Sequence, residues 1–161
     1  MTGYADFEGF VVARRPALLR TAYLLTGDHD DAEDLVQAAL IKVVPKWSRI
    51  KDRPEPYVRQ VLARESVSRW RGRRWREVTH EVVPETVHHD STERITLLED
   101  LRRLSPRQRA VLVLRYFDDL TEADTAAALG ISVGTVKSHA RDALTRLRHQ
   151  RSGEEQSAAT T

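Results

Sequence analysis

The stretch from Lys46 to Arg76 combines residue types that bind a nucleic-acid strand. It holds eleven Lys or Arg residues against three acidic ones, together with Trp47, Tyr57, Trp70 and Trp75. Cationic groups attract a phosphate backbone, and aromatic rings stack on unpaired bases. The stretch therefore predicts a surface that holds an opened strand. For Trp47 and Tyr57, packing in a hydrophobic core is an equally good interpretation.

A second set of candidate contact residues lies in the last third of the chain. Thr121 and Ser132 are typical N-cap residues, and Gly130 stands where a helix ends in the left-handed conformation. This pattern predicts a short helix, a three-residue turn and a second helix, whose first turns would enter the major groove of DNA. The residues predicted to contact duplex DNA are Val133, Gly134, Thr135, Lys137, Ser138 and Arg141.

The elements that position both sets are predicted to be helices. Apolar residues recur at helical spacing and no segment shows sustained alternation with a period of two, so the expected fold class is all-α. In the first half we expect helices over about 4–25, 30–44 and 57–74. Pro16 would kink or divide the first helix, and Asp30 would cap the second.

Charge and composition divide the chain into two small helical domains joined by a linker. Residues 76–91 lack helical spacing, and residues 81–100 hold six acidic side chains against one arginine. We therefore expect an N-terminal domain over 4–75, a linker over 76–91 and a C-terminal helix-turn-helix domain over 92–151. The remaining residues, 152–161, have the composition of a disordered tail.

Composition argues against several other classes of protein. The chain of 161 residues has no cysteine, which excludes disulfides and thiolate zinc sites. It has neither an apolar run of about 18 residues nor the pattern of a signal peptide, so we expect a cytoplasmic protein without a membrane segment. Glu65 and the six histidines are the only acid–base candidates, and no HExxH, P-loop or nucleophile elbow occurs. We expect no enzymatic activity, no metal and no cofactor.

Two separated motifs resemble those of a known family. The residues LSPRQR at 104–109, VLVLRY at 111–116 and GISVGTVKS at 130–138 resemble region 4 of bacterial sigma factors. The residues DAEDLVQ at 31–37 resemble the region 2 helix of the same proteins. The chain as a whole resembles the extracytoplasmic-function (ECF) group of sigma-70 factors, and within it the SigE-like actinobacterial family.

The resemblance implies an alternative sigma factor that binds core RNA polymerase and directs it to promoters. The N-terminal domain would dock on the polymerase clamp and hold the opened −10 element. The C-terminal domain would read the duplex −35 element and meet the polymerase flap. The implied clamp contacts are Asp34, Leu35, Gln37 and Lys42. The implied −10 contacts are Arg59, Arg64, Arg69, Trp70, Arg71, Arg73 and Arg74.

One further partner and two alternative interpretations of the sequence also have to be considered. Members of the family are often held by an anti-sigma protein, so a partner of that kind is included among the expectations. A stand-alone transcriptional regulator could use the same helix-turn-helix, although the N-terminal half shows neither the βα alternation of a receiver domain nor an apolar pocket pattern. An ordinary pair of helices with a charged outer face is the non-functional interpretation of residues 121–148.

Overall fold

The computed structural model describes residues 2–77 and 92–159, and within these ranges the chain is built from helices. The N-terminal half consists of α1 (Thr2–Thr26), α2 (His29–Val43), α3 (Trp47–Ile50) and α4 (Glu55–Glu77). The C-terminal half consists of α5 (Thr92–Arg102), α6 (Pro106–Leu112), α7 (Glu122–Leu129) and α8 (Val133–Ala158). A 3-10 turn, Val44–Lys46, links α2 to α3, and a π-helical turn, Val113–Phe117, continues α6. The predicted all-α class is confirmed.

The local signals of the helix-turn-helix are confirmed at each end of the turn. The Thr121 hydroxyl accepts a hydrogen bond from the Asp124 amide at 3.0 Å, and the Ser132 hydroxyl accepts one from the Thr135 amide at 3.0 Å. Gly130 ends α7 with φ +66°, in the left-handed region that favours glycine. Short-range hydrogen bonding therefore sets the position of the turn.

The cap of α2 lies two residues before the position predicted from the sequence. Asp28, not Asp30, has the extended backbone of an N-cap, and its carboxylate accepts from the Asp31 amide at 2.9 Å. Gly27, with φ +76°, turns the chain into this cap. Asp30 lies inside the first turn, where its negative charge complements the helix dipole.

Two helices run further than the sequence suggested. Pro16 lies inside α1, which continues through it as one helix. Residues 152–158 belong to α8, where the sequence predicted a disordered tail. The Arg103 guanidinium pairs with the Glu154 carboxylate at 3.0 Å, and the Ser152 hydroxyl donates to the Arg148 carbonyl at 3.0 Å. These contacts hold the added turns.

The N-terminal half has a core in which the Trp47 ring is central. This ring is buried and packs edge-on against Phe7, with 5.2 Å between centroids, and in a tilted arrangement against Phe10, at 5.4 Å. Core packing is therefore the correct interpretation of Trp47. The other buried members from this half are Leu18, Ala22, Leu25, Ala32, Leu35, Val36, Ala39, Leu40, Val43, Val58 and Leu62.

The two halves pack against each other through α4, α6 and α7. Ala110 and Val113 from the C-terminal half join the core cluster of the N-terminal half. Ala63 of α4 is buried in a separate cluster with Leu114 and Ala128. The halves thus share apolar contacts and are not held together by the connecting residues alone. Among the described helices, none combines the length and apolar character needed to cross a bilayer.

Candidate nucleic-acid interface

The first turns of α8 present an exposed face that a cap and a buried valine hold in place. Ser132 caps the helix, and its hydroxyl also lies 2.8 Å from the Thr135 hydroxyl. Val136 is fully buried beneath, in a cluster with Val111 and Ala126. Because Val136 faces inward, the helical repeat turns the neighbouring positions outward. The exposed members are Val133, Gly134, Lys137 and Arg141, with Thr135 and Ser138 half-buried.

A cationic groove follows this face along α8. An open cavity of about 310 Å³ is lined by Lys137, Arg141 and Arg148 from α8 and by Arg115 from the π-helical turn after α6. The Glu122 carboxylate at its edge lies 3.9 Å from the Lys137 ammonium group. Four cationic side chains against one carboxylate suit a phosphate backbone.

Some members of this groove were not predicted from the sequence. Arg148 lies seven residues after Arg141, about two turns further along the same face of α8, so spacing alone could have indicated it. Arg115 and Tyr116 come from another element, and only the tertiary structure brings them to the groove. The Arg115 guanidinium lies 5.9 Å from the centre of the Tyr116 ring and donates to the Leu120 carbonyl.

Three predicted strand-binding arginines of α4 have described side chains, and each of the three is engaged within the protein. Arg59 lies 3.6 Å from the Glu55 carboxylate, and Arg69 lies 3.9 Å from the Glu65 carboxylate. Arg64 points to the C-terminal half, where it donates to two backbone carbonyls of α7. The side chains of Trp70, Arg71, Arg73 and Arg74 lie outside the described part of the structure, although their backbone belongs to α4.

The predicted polymerase-facing residues of α2 divide between surface and core. Asp34, Gln37 and Lys42 are exposed, and Lys42 pairs with Glu65 of α4. Leu35 is fully buried, so its assignment as a contact residue is wrong. Helical spacing explains the error. Leu35 lies on the inward face of α2 together with Ala32 and other core residues, whereas its neighbour Asp34 lies on the outward face.

The exposed side of α2 and the turn after it also carry two large apolar side chains that were not predicted from the sequence. Ile41 is 63% exposed and Val44 is 40% exposed, and they continue the line of Asp34 and Gln37 at helical spacing. We call these four residues the α2 stripe. Large apolar side chains grouped on a surface often mark a protein contact. Spacing in the sequence could have indicated the stripe, but only burial shows which face is outward.

Two charged groups lie where the halves meet, Arg109 buried and Asp118 half-buried. The Arg109 guanidinium donates to the Leu101 carbonyl at 2.8 Å and to the Leu25 carbonyl at 2.9 Å. Burial, followed by the nearby charge of Arg102, lowers the pKa of Arg109 from its ordinary value. Burial raises the pKa of the Asp118 carboxyl, against the opposing effect of the hydrogen bond from Thr21.

Comparison with known families accounts for both halves of the chain. Residues 10–76 match the family model for Sigma-70 region 2, and residues 101–149 match the one for Sigma-70, region 4. The RNA polymerase sigma-E factor of Streptomyces coelicolor is 42% identical over 151 residues, which cover 90% of this chain and 85% of that protein. ECF RNA polymerase sigma factor SigL of Mycobacterium tuberculosis is 31% identical over 142 residues, covering 81% and 80%.

Two solved structures share the fold of this chain. The sigma factor RpoE of Bartonella quintana, solved in complex with the anti-sigma factor NepR, superposes with a TM-score of 0.71 and 28% identity over 89% of this chain and 95% of that one. CnrH, solved in complex with the cytosolic domain of CnrY, shares the fold with a TM-score of 0.66 and 21% identity over 91% and 88%.

These observations define a two-domain DNA-binding protein of the sigma-70 type. The chain belongs to the ECF group of RNA polymerase sigma factors, which confirms the family resemblance in its sequence. It is an alternative sigma factor that directs transcription initiation. A stand-alone regulator would not account for the region 2 match in the N-terminal half.

Proposed function

We propose that the chain confers promoter specificity on core RNA polymerase as a non-catalytic subunit with two separate DNA contacts. Region 4 reads the −35 duplex through the first turns of α8, and region 2 holds the opened −10 strand along α4. The observation that carries the proposal is the exposed cationic groove of α8, which begins at a capped helix end and continues to Arg148. We place this action in the cytoplasm, where polymerase meets the chromosome.

The α8 face is suited to the major groove. Its first two turns have no side chain at Gly134 and short hydroxyl side chains at Thr135 and Ser138, which allow close approach to base edges. Lys137 and Arg141 lie on the same exposed side and can reach guanine edges or phosphates. Arg115 and Arg148 extend the cationic surface beyond the first turns and would meet the backbone.

The clamp of core polymerase is the partner we propose for the α2 stripe. Its members are exposed, and they combine hydrogen-bonding groups at Asp34 and Gln37 with apolar groups at Ile41 and Val44. Such a mixture is typical of a protein contact with a desolvated centre and a polar rim. Lys42 contributes a charge at the edge. We further propose that region 4 meets the polymerase flap.

An anti-sigma protein is a further proposed partner. The RpoE structure, which superposes on most of this chain, contains the anti-sigma factor NepR. Purification of the tagged chain from its host, followed by identification of a stoichiometric partner that blocks transcription, would test this proposal. Recovery of core polymerase subunits alone would argue against a stable anti-sigma complex under the growth conditions used.

Run-off transcription with purified core polymerase tests the central proposal. Genomic fragments are first selected by the reconstituted holoenzyme, and start sites are mapped on them. We expect discrete start sites that depend on the added chain and share sequence elements upstream. Core enzyme alone and core enzyme with a chain lacking residues 121–148 are the controls. Initiation at the same sites without those residues would contradict the assignment of the −35 contact to α8.

A further inference from the structure

Glu122 places a carboxylate inside the cationic groove of α8. It is the first residue of α7, directly after the Thr121 cap, and it lines the same cavity as Lys137. Among the described residues that line this cavity, Glu122 is the sole acidic one. A groove that served only to attract phosphate would gain nothing from a negative charge, because a carboxylate repels phosphate. The presence of this carboxylate therefore needs a separate explanation.

The charge partner of this carboxylate is Lys137. The Glu122 Oε2 atom lies 3.9 Å from the Lys137 ammonium nitrogen, and within the described part of the chain it accepts no hydrogen bond. That oxygen is shielded from solvent, whereas the lysine side chain is 66% exposed. In the first turn of α7, the carboxylate also complements the positive end of the helix dipole. Glu122 is therefore the better anchored member of the pair.

Lys137 differs chemically from the other cations of the groove. The other three are arginines, and Arg115 is already fixed by the hydrogen bond that it donates to the Leu120 carbonyl. A lysine side chain is a flexible four-carbon stem that ends in a point charge, so its direction depends on the negative groups around it. Beside DNA, that group would be a phosphate unless another anion competes for the ammonium. A lysine bound to a phosphate carries no direct information about sequence.

The position of Glu122 determines where the Lys137 ammonium can go. Val136 is fully buried and Ser132 caps α8, so the backbone that carries the lysine is held in place. Attraction to Glu122 restricts the lysine side chain to the part of the groove next to α7. The same carboxylate repels phosphate from that part, whereas the acceptor edge of a guanine has no net charge and is repelled far less. The pair thus favours contact with a base over contact with the DNA backbone.

We propose that Glu122 determines promoter specificity through Lys137, by holding the lysine for base recognition and by keeping phosphate away from it. Glu122 is a positioning residue and does not itself touch the bases. The proposal rests on the proposed reading of the −35 duplex by α8. It implies that the base preference due to Lys137 depends on a negative charge at position 122.

A promoter library with a randomised −35 element tests the proposal. The −10 element and start site come from a promoter mapped with the holoenzyme and stay constant, and each transcript carries a barcode that identifies its −35 sequence. Core polymerase is reconstituted with the unmodified chain or a variant, and barcode counts give the relative initiation for each base at each position. Because all members compete in one reaction, a general loss of activity does not alter these ratios. Circular dichroism checks that each variant is folded.

Glu122→Gln should change the base preference at the position that Lys137 reads. Lys137→Met identifies that position, because it removes the ammonium and keeps an unbranched side chain. We expect Glu122→Gln to reduce the preference there by about two- to fivefold, the effect of an exposed ion pair, and to leave the other positions unchanged. In the Lys137→Met background the same substitution should have no further effect, since the pair no longer exists. Glu122→Asp, which retains the charge, should keep most of the preference.

Asp124→Asn is the matched control. It removes an exposed carboxylate from the same first turn of α7, but Asp124 lines the separate cavity between α7 and α4. The change in net charge is the same as in Glu122→Gln, and the base preference should stay unchanged. Equal losses of preference in these two variants would show an effect of net charge alone and would overturn the proposal.

Three other results would also overturn the proposal. One is an unchanged preference in Glu122→Gln, and another is an effect of this substitution that persists in the Lys137→Met background. The third is a Lys137→Met variant with the preference of the unmodified chain, because the lysine would then contact only the DNA backbone. If the holoenzyme with the unmodified chain shows no preference at any −35 position, the proposed reading of the −35 element itself fails.

Discussion

The Arg109 guanidinium donates to the Leu25 carbonyl oxygen, 2.9 Å away, across the contact between the two halves of the chain. Its remaining N–H groups donate to carbonyls at the end of α5 and in the following turn, contributed by Leu101, Arg102 and Leu104. The Arg109 side chain, which belongs to the family motif, therefore stabilises the turn that leads into α6 and connects it to α1. A buried arginine of this kind stabilises only while all its partners are present.

Replacement of Arg109 by Met should therefore destabilise the fold. The substitution keeps an unbranched side chain but leaves four carbonyl oxygens without their donor, and we expect a loss of about 2–4 kcal/mol in the free energy of unfolding. Urea denaturation followed by circular dichroism measures the change. Arg107→Met, at an exposed position of the same helix, should stay within about 0.5 kcal/mol. Equal effects at the two positions would contradict the role given to Arg109.

Asp118 should make the stability of the packed form depend on pH. Burial raises the pKa of its carboxyl, so the folded state binds the proton more tightly than the unfolded chain does. The stabilisation is complete below the ordinary carboxyl pKa and is lost as the pH rises through the raised value. The hydrogen bond from Thr21 and the charge of Arg59 oppose this rise in the pKa, whereas the charges of Glu55 and Asp119 add to it.

Asp118→Asn isolates this contribution. The amide can still accept from Thr21, but it does not titrate. The stability of the native chain relative to the variant should therefore fall as the pH rises from about 4 to 8, as measured by urea titration at each pH. Asp142→Asn, at an exposed position of α8, serves as the control. A flat difference across this interval would show that Asp118 titrates normally.

Arg148 should contribute to duplex binding by contacting phosphates. Arg148→Ala should weaken binding to all duplex sequences alike and reduce the salt slope by about 1. Arg141→Ala or Lys137→Ala should instead change base preference by about 1–3 kcal/mol at any position where the native side chain contacts a guanine. Arg146 lies on the opposite side of α8, and Arg146→Ala should leave both properties unchanged. Anisotropy titrations on −35 duplexes and their single-base variants distinguish these outcomes.

Ile41 should be a strong contact for core polymerase although it contributes little to the fold. Since the side chain is 63% exposed, Ile41→Ala should change the stability by less than about 0.5 kcal/mol. It should weaken core binding by about 1–2 kcal/mol, as should Asp34→Ala and Gln37→Ala. Val12→Ala removes an apolar side chain that is 78% exposed on α1 and is the matched control. Titration of the labelled chain with core enzyme provides the measurement.

Replacement of Leu35 tests whether this residue belongs to the core and not to the polymerase contact. Its side chain is fully buried, so Leu35→Ala should cost about 2–5 kcal/mol of stability. Any loss of polymerase binding should then follow the fraction of unfolded protein, which thermal unfolding in the same buffer measures. A fully folded variant with weak polymerase binding would restore Leu35 as a direct contact.

Local chemistry explains which parts of this fold could be predicted from sequence. Thr121, Gly130 and Ser132 act through hydrogen bonds and backbone preferences within a few residues, so their roles are readable in the chain itself. Asp28 and Asp30 are chemically equivalent caps, and the choice between them depends on the turn at Gly27. Residue type alone does not encode that choice.

Contacts between residues far apart in the sequence limit how much of the candidate site can be predicted from the sequence. Arg64 is a cation in a basic stretch, and nothing near it in sequence shows that its partners are carbonyls more than sixty residues away. Leu35 was misassigned because a motif match identifies residue positions but not the inward face of the helix. Glu154 stabilises the end of α8 only because α5 brings Arg103 beside it.

The uninterrupted length of α8 has a mechanical consequence. Its 26 residues form a rod of about 39 Å, with the turn that is proposed to contact DNA at one end. Leu101 of α5 packs in one cluster with Leu144 and Leu147 of α8. Further along α8, Arg151 pairs with Asp100 of α5, and Glu154 pairs with Arg103, the residue that follows α5. The chain enters the C-terminal half through α5. It is therefore attached to the C-terminal part of α8, which α5 contacts. The α8 rod then spans the distance between this point of attachment and the end that is proposed to contact DNA.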